Sequence, residues 1–439
     1  SGVEAAELKL DELKKIAAAQ GNPKIKHHSQ DEFEFVLLTD VKIKGLETFS
    51  RSYVKGKLGI IPPQLASYKN IRDGIKSLYS SGNFNKVYYR LLDNEAGHKT
   101  LSIFVEENPN RQSIKFGLHY DDLFKTGLLL NYSSRHVIFD NSVFSADFIL
   151  GDFPRYQLNY FVDNGIYPSF GFNSNYKRFD SKISASNFDE DAQGVAYNYN
   201  FSEFLNKFYL QSTLYDKYAL GGGIEHQYLS VKTDNLPINN PLRVIENSYF
   251  LSLYGFLKID NLDNPNFPMN GLKLNGLFKY ILKSNTDDFE ESPVFSVSLD
   301  ANKSLNNWLG IKAFGKFGTF FSSQPKLAQS FALGGYVEQE FMNYSRFYGL
   351  PFFTIGGNNV LIIGGRLQAK VLKNHYFSFV SNFANISNQI EDWKFLKYHY
   401  SGFGIGYGYD SPLGPINGLW IYSPNTKKGI FNVSLGFWF

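Results

Sequence analysis

Ile430-Phe431-Asn432-Val433-Ser434-Leu435-Gly436-Phe437-Trp438-Phe439 closes the chain, and the fold turns on how it is read. From Phe431 every second residue is apolar: Phe431, Val433, Leu435, Phe437 and Phe439. Asn432, Ser434, Gly436 and Trp438 stand between them. A period of two with one apolar face is a β-strand. Soluble proteins rarely end on so apolar an exposed strand, because termini fray and a bare edge recruits other chains. In a barrel closed in lipid, the apolar face meets the membrane and the last strand pairs with the first. The expectation is therefore a transmembrane β-barrel whose seam joins residues near 112–121 to 430–439.

Composition agrees. Phe and Tyr number 42 and 29, aromatics make up 17% of the 439 residues, and the mean hydropathy is only −0.26. No run approaches the ~18 apolar residues of a spanning helix. Half-polar strands explain how a membrane protein can have so moderate a hydropathy; a large soluble β-sandwich or propeller is the alternative. With no cysteine there is no disulfide or thiolate metal site. A net charge of +3 gives no reason to expect nucleic acid. No secretion signal is visible at Ser1, so the sequence is expected to be a processed form or a piece of a longer protein.

Working back from the C-terminus, the same alternation recurs. Phe403, Ile405, Tyr407 and Tyr409 alternate with glycines; Phe295, Val297, Leu299 and Ala301 with Ser296, Ser298 and Asp300. Leu251, Leu253 and Leu257 face away from Ser252 and Lys258, and Ile114, Phe116, Leu118 and Tyr120 from Lys115, Gly117 and His119. Roughly sixteen such strands fit into residues 112–439, within a barrel domain expected over 109–439, the even number a single-chain bacterial barrel needs. Junctions at Asp121-Asp122, Gly151 to Pro154 and Lys373-Asn374 are tight, whereas 184–198, 233–246, 284–291, 323–357 and 386–400 are long. Short turns are expected on the periplasmic side and long loops outside. Segment 323–357 holds eight aromatic residues, too many for a solvated loop, and is expected to pack in the lumen.

Ahead of the strands, residues 33–108 read as a small α/β unit of order β-α-α-β-β. Phe35 to Ile43 is a strand, Ser50 to Leu58 a helix capped by Ser50, and Asn70 to Tyr79 a helix stopped at Ser80-Ser81-Gly82. Lys86 to Leu92 and Thr100 to Glu106 are strands. Residues 1–32 read as an amphipathic helix, with Leu10, Leu13 and Ile16 on one side, and a polar linker after Gly21-Asn22-Pro23.

Several motifs resemble one superfamily, that of BamA, TamA and the two-partner secretion transporters. The α/β unit, with Gly74 to Phe84 leading into a strand and Val105-Glu106-Glu107 closing it, resembles a POTRA domain. Asp260-Asn261-Leu262-Asp263-Asn264-Pro265-Asn266-Phe267-Pro268-Met269-Asn270-Gly271 is similar to the superfamily's Asp…Pro-x-x-Gly turn. Tyr409-Asp410-Ser411-Pro412-Leu413-Gly414-Pro415 is similar to its signature before the last two strands. Phe437 and Phe439 resemble the signal read by the barrel assembly machinery. The resemblance spans residues 33–439 and implies a mainly β chain: a 16-stranded antiparallel transmembrane β-barrel preceded by one small α/β POTRA domain. It also implies a bacterial outer membrane with the POTRA domain in the periplasm, and outer-membrane lipids and other envelope proteins as partners.

In that superfamily the lumenal loop carries Arg directly before Gly-Phe or Gly-Tyr. Here Arg346 stands three positions before Gly349, in Arg346-Phe347-Tyr348-Gly349-Leu350-Pro351-Phe352, and the partner Asp would fall near Asn382. Arg346, Phe347, Gly349 and Phe352 are the candidate plug residues. This departure is similar to outer-membrane patatin-like phospholipases, especially those of the Bacteroidota, in which a secreted patatin domain precedes one POTRA domain and the barrel (type Vd secretion). Arg51 to Leu58 resembles their POTRA domain, and the opening helix resembles the end of a patatin domain.

The chemistry of a patatin is not in this sequence. It needs a Gly-x-Ser-x-Gly nucleophile elbow, which is missing, and the only Asp-Gly pair, Asp73-Gly74, lies inside a POTRA helix. Gly402 to Gly408 sits inside a strand, not at the strand-to-helix turn of a phosphate loop, and reads as room for the lumenal loop. His27-His28 has no acidic third ligand nearby. No catalytic, cofactor or metal residue is assigned. The expected function is to anchor or translocate an attached patatin-like domain. The alternatives are a pure tether for such a lipid hydrolase, or a docking subunit of an envelope assembly complex.

Overall fold

The computed structural model describes residues 9–19, 35–93, 98–184, 194–214, 217–286, 289–322, 327–336, 341, 343–389, 393 and 397–437. His27-His28, Trp438 and Phe439 lie outside them. Helix α1 (Leu10–Ala19) realises the amphipathic pattern. No described helix is long and apolar enough to cross a membrane.

The α/β unit runs β1 (Phe35–Lys44), α2 (Arg51–Leu58), β2 (Gln64–Ser67), α3 (Tyr68–Ser80), β3 (Phe84–Asp93) and β4 (Lys99–Glu107). Its sheet order is β2-β1-β4-β3, with β1 parallel to β4. The sequence reading of two successive helices is corrected here: β2 lies between them, paired antiparallel to β1. Four residues are too few to show a period. Each helix is started by a serine. The Ser50 hydroxyl accepts from Tyr53 N at 3.1 Å, and Ser67 forms a capping box with Asn70. Their inner faces bury Tyr53, Val54, Leu58, Ile71 and Leu78 against Leu38, Leu101 and Ile103. Gly74 is where the helices touch, since a Cβ there would overlap the Leu58 carbonyl oxygen. Its pairing with Asp73 is a packing feature.

Sixteen antiparallel strands close into the barrel. Eleven run in order from β5 (Gln112–Asp121) to β15 (Leu309–Phe320), and five from β19 (Asn359–Leu372) to β23 (Lys428–Gly436). Side chains alternate as the period of two requires. Ile114, Phe116 and Leu118 of β5 are exposed while His119 and Asp121 are buried, and Leu220, Ile224, Leu251, Leu253, Phe377, Phe379 and Ile405 extend the same outward apolar belt. That belt faces lipid, where apolar exposure costs nothing.

The interior is filled. Between β15 and β19 the chain turns inward and forms a three-stranded sheet, β16 (Phe331–Leu333), β17 (Tyr344–Ser345) and β18 (Ile355–Gly357), with β16 in the middle. Phe331, Leu333, Phe341, Phe347 and Phe353 from this loop pack with wall residues Phe179, Phe201, Leu229, Val231 and Phe250. Phe179 and Phe201 stack at 4.9 Å between centroids, and Phe341 meets Phe179 edge-on at 4.7 Å. Burial of each such ring is worth roughly 1.5–3 kcal/mol, so the loop is held as a plug.

The α/β unit sits on the barrel end where β5 begins. Lys57 Nζ lies 3.0 Å from Asp163 Oδ2, Phe49 packs on His136 at 4.9 Å, and Gly56 of α2 meets Gly165 with no room for a Cβ on either. The five long connections all join strand tips at the far end. So do the tight junctions at Asp121-Asp122 and Gly151 to Pro154, which corrects their assignment to the short-turn side; only Lys373-Asn374 lies at the near end. Strand parity, not loop length, decides the end.

Candidate functional site

Three features of the lumen and its wall are set by named residues. The first is the plug latch. Asn382, in β20 (His375–Ser387), is fully buried. Its Oδ1 accepts from Tyr348 N at 2.7 Å, and its Nδ2 donates to Tyr348 O at 3.2 Å and to Gly402 O at 3.3 Å. A Cβ at Gly402, in β21 (Tyr400–Ser411), would overlap the Tyr348 carbonyl oxygen. Gly349 has φ +101°, and a Cβ there would lie 2.7 Å from Tyr422 O. The loop tip therefore rests on bare backbone. Phe347 is fully buried beside it, and Phe352 lies 5.3 Å from the Phe179 ring. Arg346 goes elsewhere: its guanidinium is 4.0 Å from Asp300 Oδ2 and 39% exposed, a contact worth ~0–1 kcal/mol. Asn382 thus holds the backbone of Tyr348 and not the guanidinium of Arg346.

The second feature is a floor. β12 (Val244–Asp260) and β13 (Gly271–Ser284) are joined by a turn that crosses the near-end mouth. Asp260 ends β12 with its carboxylate 3.4 Å from Lys273, and Gly271 takes φ +113° against Asn261. Within the turn, Asn264 and Asn266 donate to Asp410 at 3.4 and 3.2 Å. Phe267 stacks on Tyr376 at 4.5 Å and fills the space left by Gly408. Pro268 O accepts from Gln368 Nε2 at 3.4 Å. The two signature turns, far apart in sequence, meet here.

The third feature is the seam. Among the described residues, β23 and β5 form two residue pairs, Leu435 with Tyr120 and Gly436 with His119, against ten between β5 and β6 (Lys125–Arg135). Gly436 has φ +94° and is the last residue of β23; Trp438 and Phe439 of the strand expected over 430–439 lie outside the described residues. The Gly436 backbone packs on Leu118 and on Gly414 (φ +107°), which starts β22 (Gly414–Ser423) after the Pro412 turn; Pro415 pairs with Asp410. Phe437 follows, 40% exposed. Asp122, read from sequence only as a turn residue, is a clasp: its Oδ2 accepts from Asn432 Nδ2 at 2.8 Å and Val433 N at 3.2 Å. Nothing in its own neighbourhood of sequence points to a partner 310 positions away.

Among the described residues no group of three His, Cys, Asp or Glu is placed to hold a metal. Among the described residues the structure brings together a plug, a floor and a short seam.

A closed 16-stranded barrel with an inserted plug and one α/β unit defines a class, the plugged outer-membrane β-barrels. The chain belongs to the OMP85 superfamily, whose family model matches residues 99–439. Among solved structures it is similar to BamA from Haemophilus ducreyi lacking POTRA domains 1–3, at 15% identity over 91% of this chain and 84% of that one, with a TM-score of 0.62. It is also similar to CdiB from Acinetobacter baumannii, at 14% identity over 92% and 74%, with a TM-score of 0.57. At these identities the likeness is one of fold. No curated protein matches the sequence.

Proposed function

We propose that the chain is the anchor and translocation half of a larger outer-membrane protein, and that its working element is the β5–β23 seam. One observation carries this reading. Among the described residues, β5 from Gln112 to Leu118 pairs with β6 on one side and has no partner on the other. Unpaired strand backbone is the substrate for β-augmentation, by which a passing strand gains hydrogen bonds at an edge. Residues 33–108 act as a POTRA domain on the periplasmic side and 109–439 as the barrel. The attached cargo is a patatin-like domain, a reading supported by the likeness of Arg51 to Leu58 and of α1 to that family. Barrel assembly machinery and outer-membrane lipids are the further partners.

The test uses the chain's lack of cysteine. Tyr120→Cys with Leu435→Cys staples the seam in one place. A reporter domain fused upstream of Ser1 is then scored for surface exposure. Translocation through the seam requires that the stapled barrel fold normally, leave the reporter in the periplasm, and release it on reduction. Unchanged surface exposure in the oxidised variant overturns the seam mechanism and leaves a pure tether.

A further inference from the structure

We propose that the near-end turn between β6 and β7 (Ser142–Gly151) is a membrane-inserting element, which places Ile138 and Phe139 among the acyl chains of the lipid leaflet at that end. The partner is lipid, and the site is the joint between the barrel and the α/β unit. The inference does not depend on translocation through the seam.

Conformation is the first argument. Ile138 stands at the tip of the turn with φ +72°. Phe139 N donates to Val137 O at 2.9 Å and closes a three-residue turn around it. That hand of turn is strained for a residue with a Cβ, most of all for a β-branched one. Glycine or asparagine would sit there without strain. Yet the position holds isoleucine, 85% exposed, followed by Phe139 at 48%. A strained backbone that offers two large apolar side chains to the outside fills no core of its own, so the surface they serve lies outside the chain.

Location is the second. β8 (Arg155–Val162) and β9 (Ser169–Ser184) form the wall beside the turn. Phe179 of β9 packs in the lumen, so Phe170 and Phe172 face outward by the period of two. Tyr160 of β8 stands opposite Phe172 and shares that outer face. The turn folds against it: the Tyr160 hydroxyl donates to Val137 O at 2.7 Å, and the Phe139 ring meets Phe170 edge-on at 5.8 Å. Phe170 lies opposite Leu210 and Phe172 opposite Phe208, both well exposed. Phe139 therefore continues the apolar belt that faces lipid.

The third argument is polar satisfaction, since backbone that enters lipid has to find its hydrogen bonds within the protein. Val137 O accepts from Ser142 Oγ at 2.7 Å in addition to Tyr160 and Phe139. Phe139 O accepts from Ser142 N at 3.1 Å and from its hydroxyl at 2.7 Å, and His136 N donates to Ser142 O at 2.9 Å. Asp140, exposed and next in the chain, keeps the insertion shallow, at the boundary between headgroups and acyl chains.

The same turn carries the α/β unit. His136 lies under Phe49. Asn141 donates to Asn164 Oδ1 at 3.0 Å and accepts from Asp163 N at 3.1 Å, which ties the turn to the one on which α2 rests. Ile166 and Tyr167 are exposed in that second turn. With Ile138 and Phe139 in lipid, the footing of the unit lies at the membrane surface.

The experiment uses the full chain, which has no cysteine of its own. Ile138→Cys and, separately, Phe139→Cys are labelled with an environment-sensitive fluorophore and reconstituted in phosphatidylcholine liposomes. Doxyl groups on the acyl chains report contact with lipid, and iodide on both sides of the membrane reports contact with water. Phe377→Cys on the belt and Lys76→Cys on α3, both exposed positions, are the lipid and water references. Both turn probes are expected to be quenched more by doxyl near the headgroup than by doxyl near the chain end, and to lose the iodide quenching seen at Lys76→Cys. Iodide quenching equal to that reference overturns the proposal in favour of a solvated turn. Protection from both quenchers overturns it in favour of a protein contact. Ile138→Asn, which suits the left-handed backbone, is then combined with the probe at Phe139→Cys. Iodide quenching there is expected to rise, and an unchanged value overturns the anchoring role of Ile138. Heat-modifiable mobility on gels checks that each variant is folded, and the two probe sites keep the test decisive if one is lost.

Discussion

Asn382 holds the peptide of Tyr348 at both ends, accepting from its N–H at 2.7 Å and donating to its carbonyl at 3.2 Å. Arg346, two residues earlier in the same loop, turns its guanidinium to Asp300 at 4.0 Å and not to Asn382. The plug is therefore latched through backbone. Asn382→Leu orphans the buried Tyr348 N–H and leaves two carbonyls short of a donor, at ~1–3 kcal/mol per buried group. Asn382→Asp keeps one acceptor, loses both donations and sets a negative charge against two carbonyl oxygens. Both variants are expected to lower the temperature of the heat-modifiable gel transition and to raise susceptibility to large antibiotics, whereas Arg346→Ala is expected to change each less. A larger effect from Arg346→Ala would return the latch to the arginine.

Gly402 supplies the flat surface on which that peptide lies. In Gly402→Ala the new methyl group occupies the position of the Tyr348 carbonyl oxygen, and neither backbone can yield without breaking the Asn382 bonds. Displacement of the plug tip is expected, with permeability rising as in Asn382→Leu. Gly276→Ala is the control, since its nearest neighbour would be at 3.8 Å. Equal behaviour of the two variants would mean that the tip is not in contact with β21.

How much of this was legible in the sequence follows from what each signal encodes. Ile114, Phe116 and Leu118 alternate, and a period of two is visible in any window, so strands and their lipid faces could be read directly. The strand count and the resemblance of two turns were equally local. What sequence could not provide was juxtaposition. Asp410 and Asn266 are each polar turn residues, and only the curvature of a closed barrel brings them together. Lys312 faces Arg366 because β15 pairs with β19 across an inserted loop, a register no spacing rule predicts. Gly436 looked like one more small residue on a strand; its φ of +94° leaves no trace in hydrophobic periodicity. Segment 64–67 was missed for the opposite reason, being too short to have a period.

Glu107 closes the α/β unit by gathering backbone donors. Its Oε1 accepts from Glu47 N, Thr48 N and Phe49 N at 2.9, 3.0 and 3.0 Å. Burial pushes its carboxyl up, but the Phe49, Glu47 and Thr48 amides outweigh burial, and its pKa lies below the ordinary glutamate value. A lowered folded-state pKa gives stability that is full above the unfolded value and is lost as pH falls through the folded one. Hydrogen exchange at amides 47–49 is therefore expected to be slow at neutral pH and to accelerate on acidification below about pH 4. In Glu107→Gln exchange should be faster throughout and lose this step. Identical pH profiles for the two proteins would refute the role of the carboxylate.

Asp410 and Asn266 join two turns that are 144 positions apart, and their bond is one edge of the lumenal floor. The other edge is the stack of Phe267 on Tyr376, with planes 7° apart. Hydrogen bonds to a charged group contribute about 1.5–3 kcal/mol when well made. At 3.2 and 3.4 Å these two lie near the lower end. Asp410→Ala is thus expected to loosen the turn without unfolding the barrel. Amides 264–269 should exchange faster and become cleavable by added protease, while the gel transition shifts by only a few degrees. Phe267→Ala removes a buried ring, about 3–5 kcal/mol, and should loosen the same segment further. If the floor is a unit, the two substitutions couple: once the ring is gone, removing Asp410 adds less than it does alone. Strict additivity in a double-mutant cycle would show instead that the hydrogen bonds and the stack hold the turn independently.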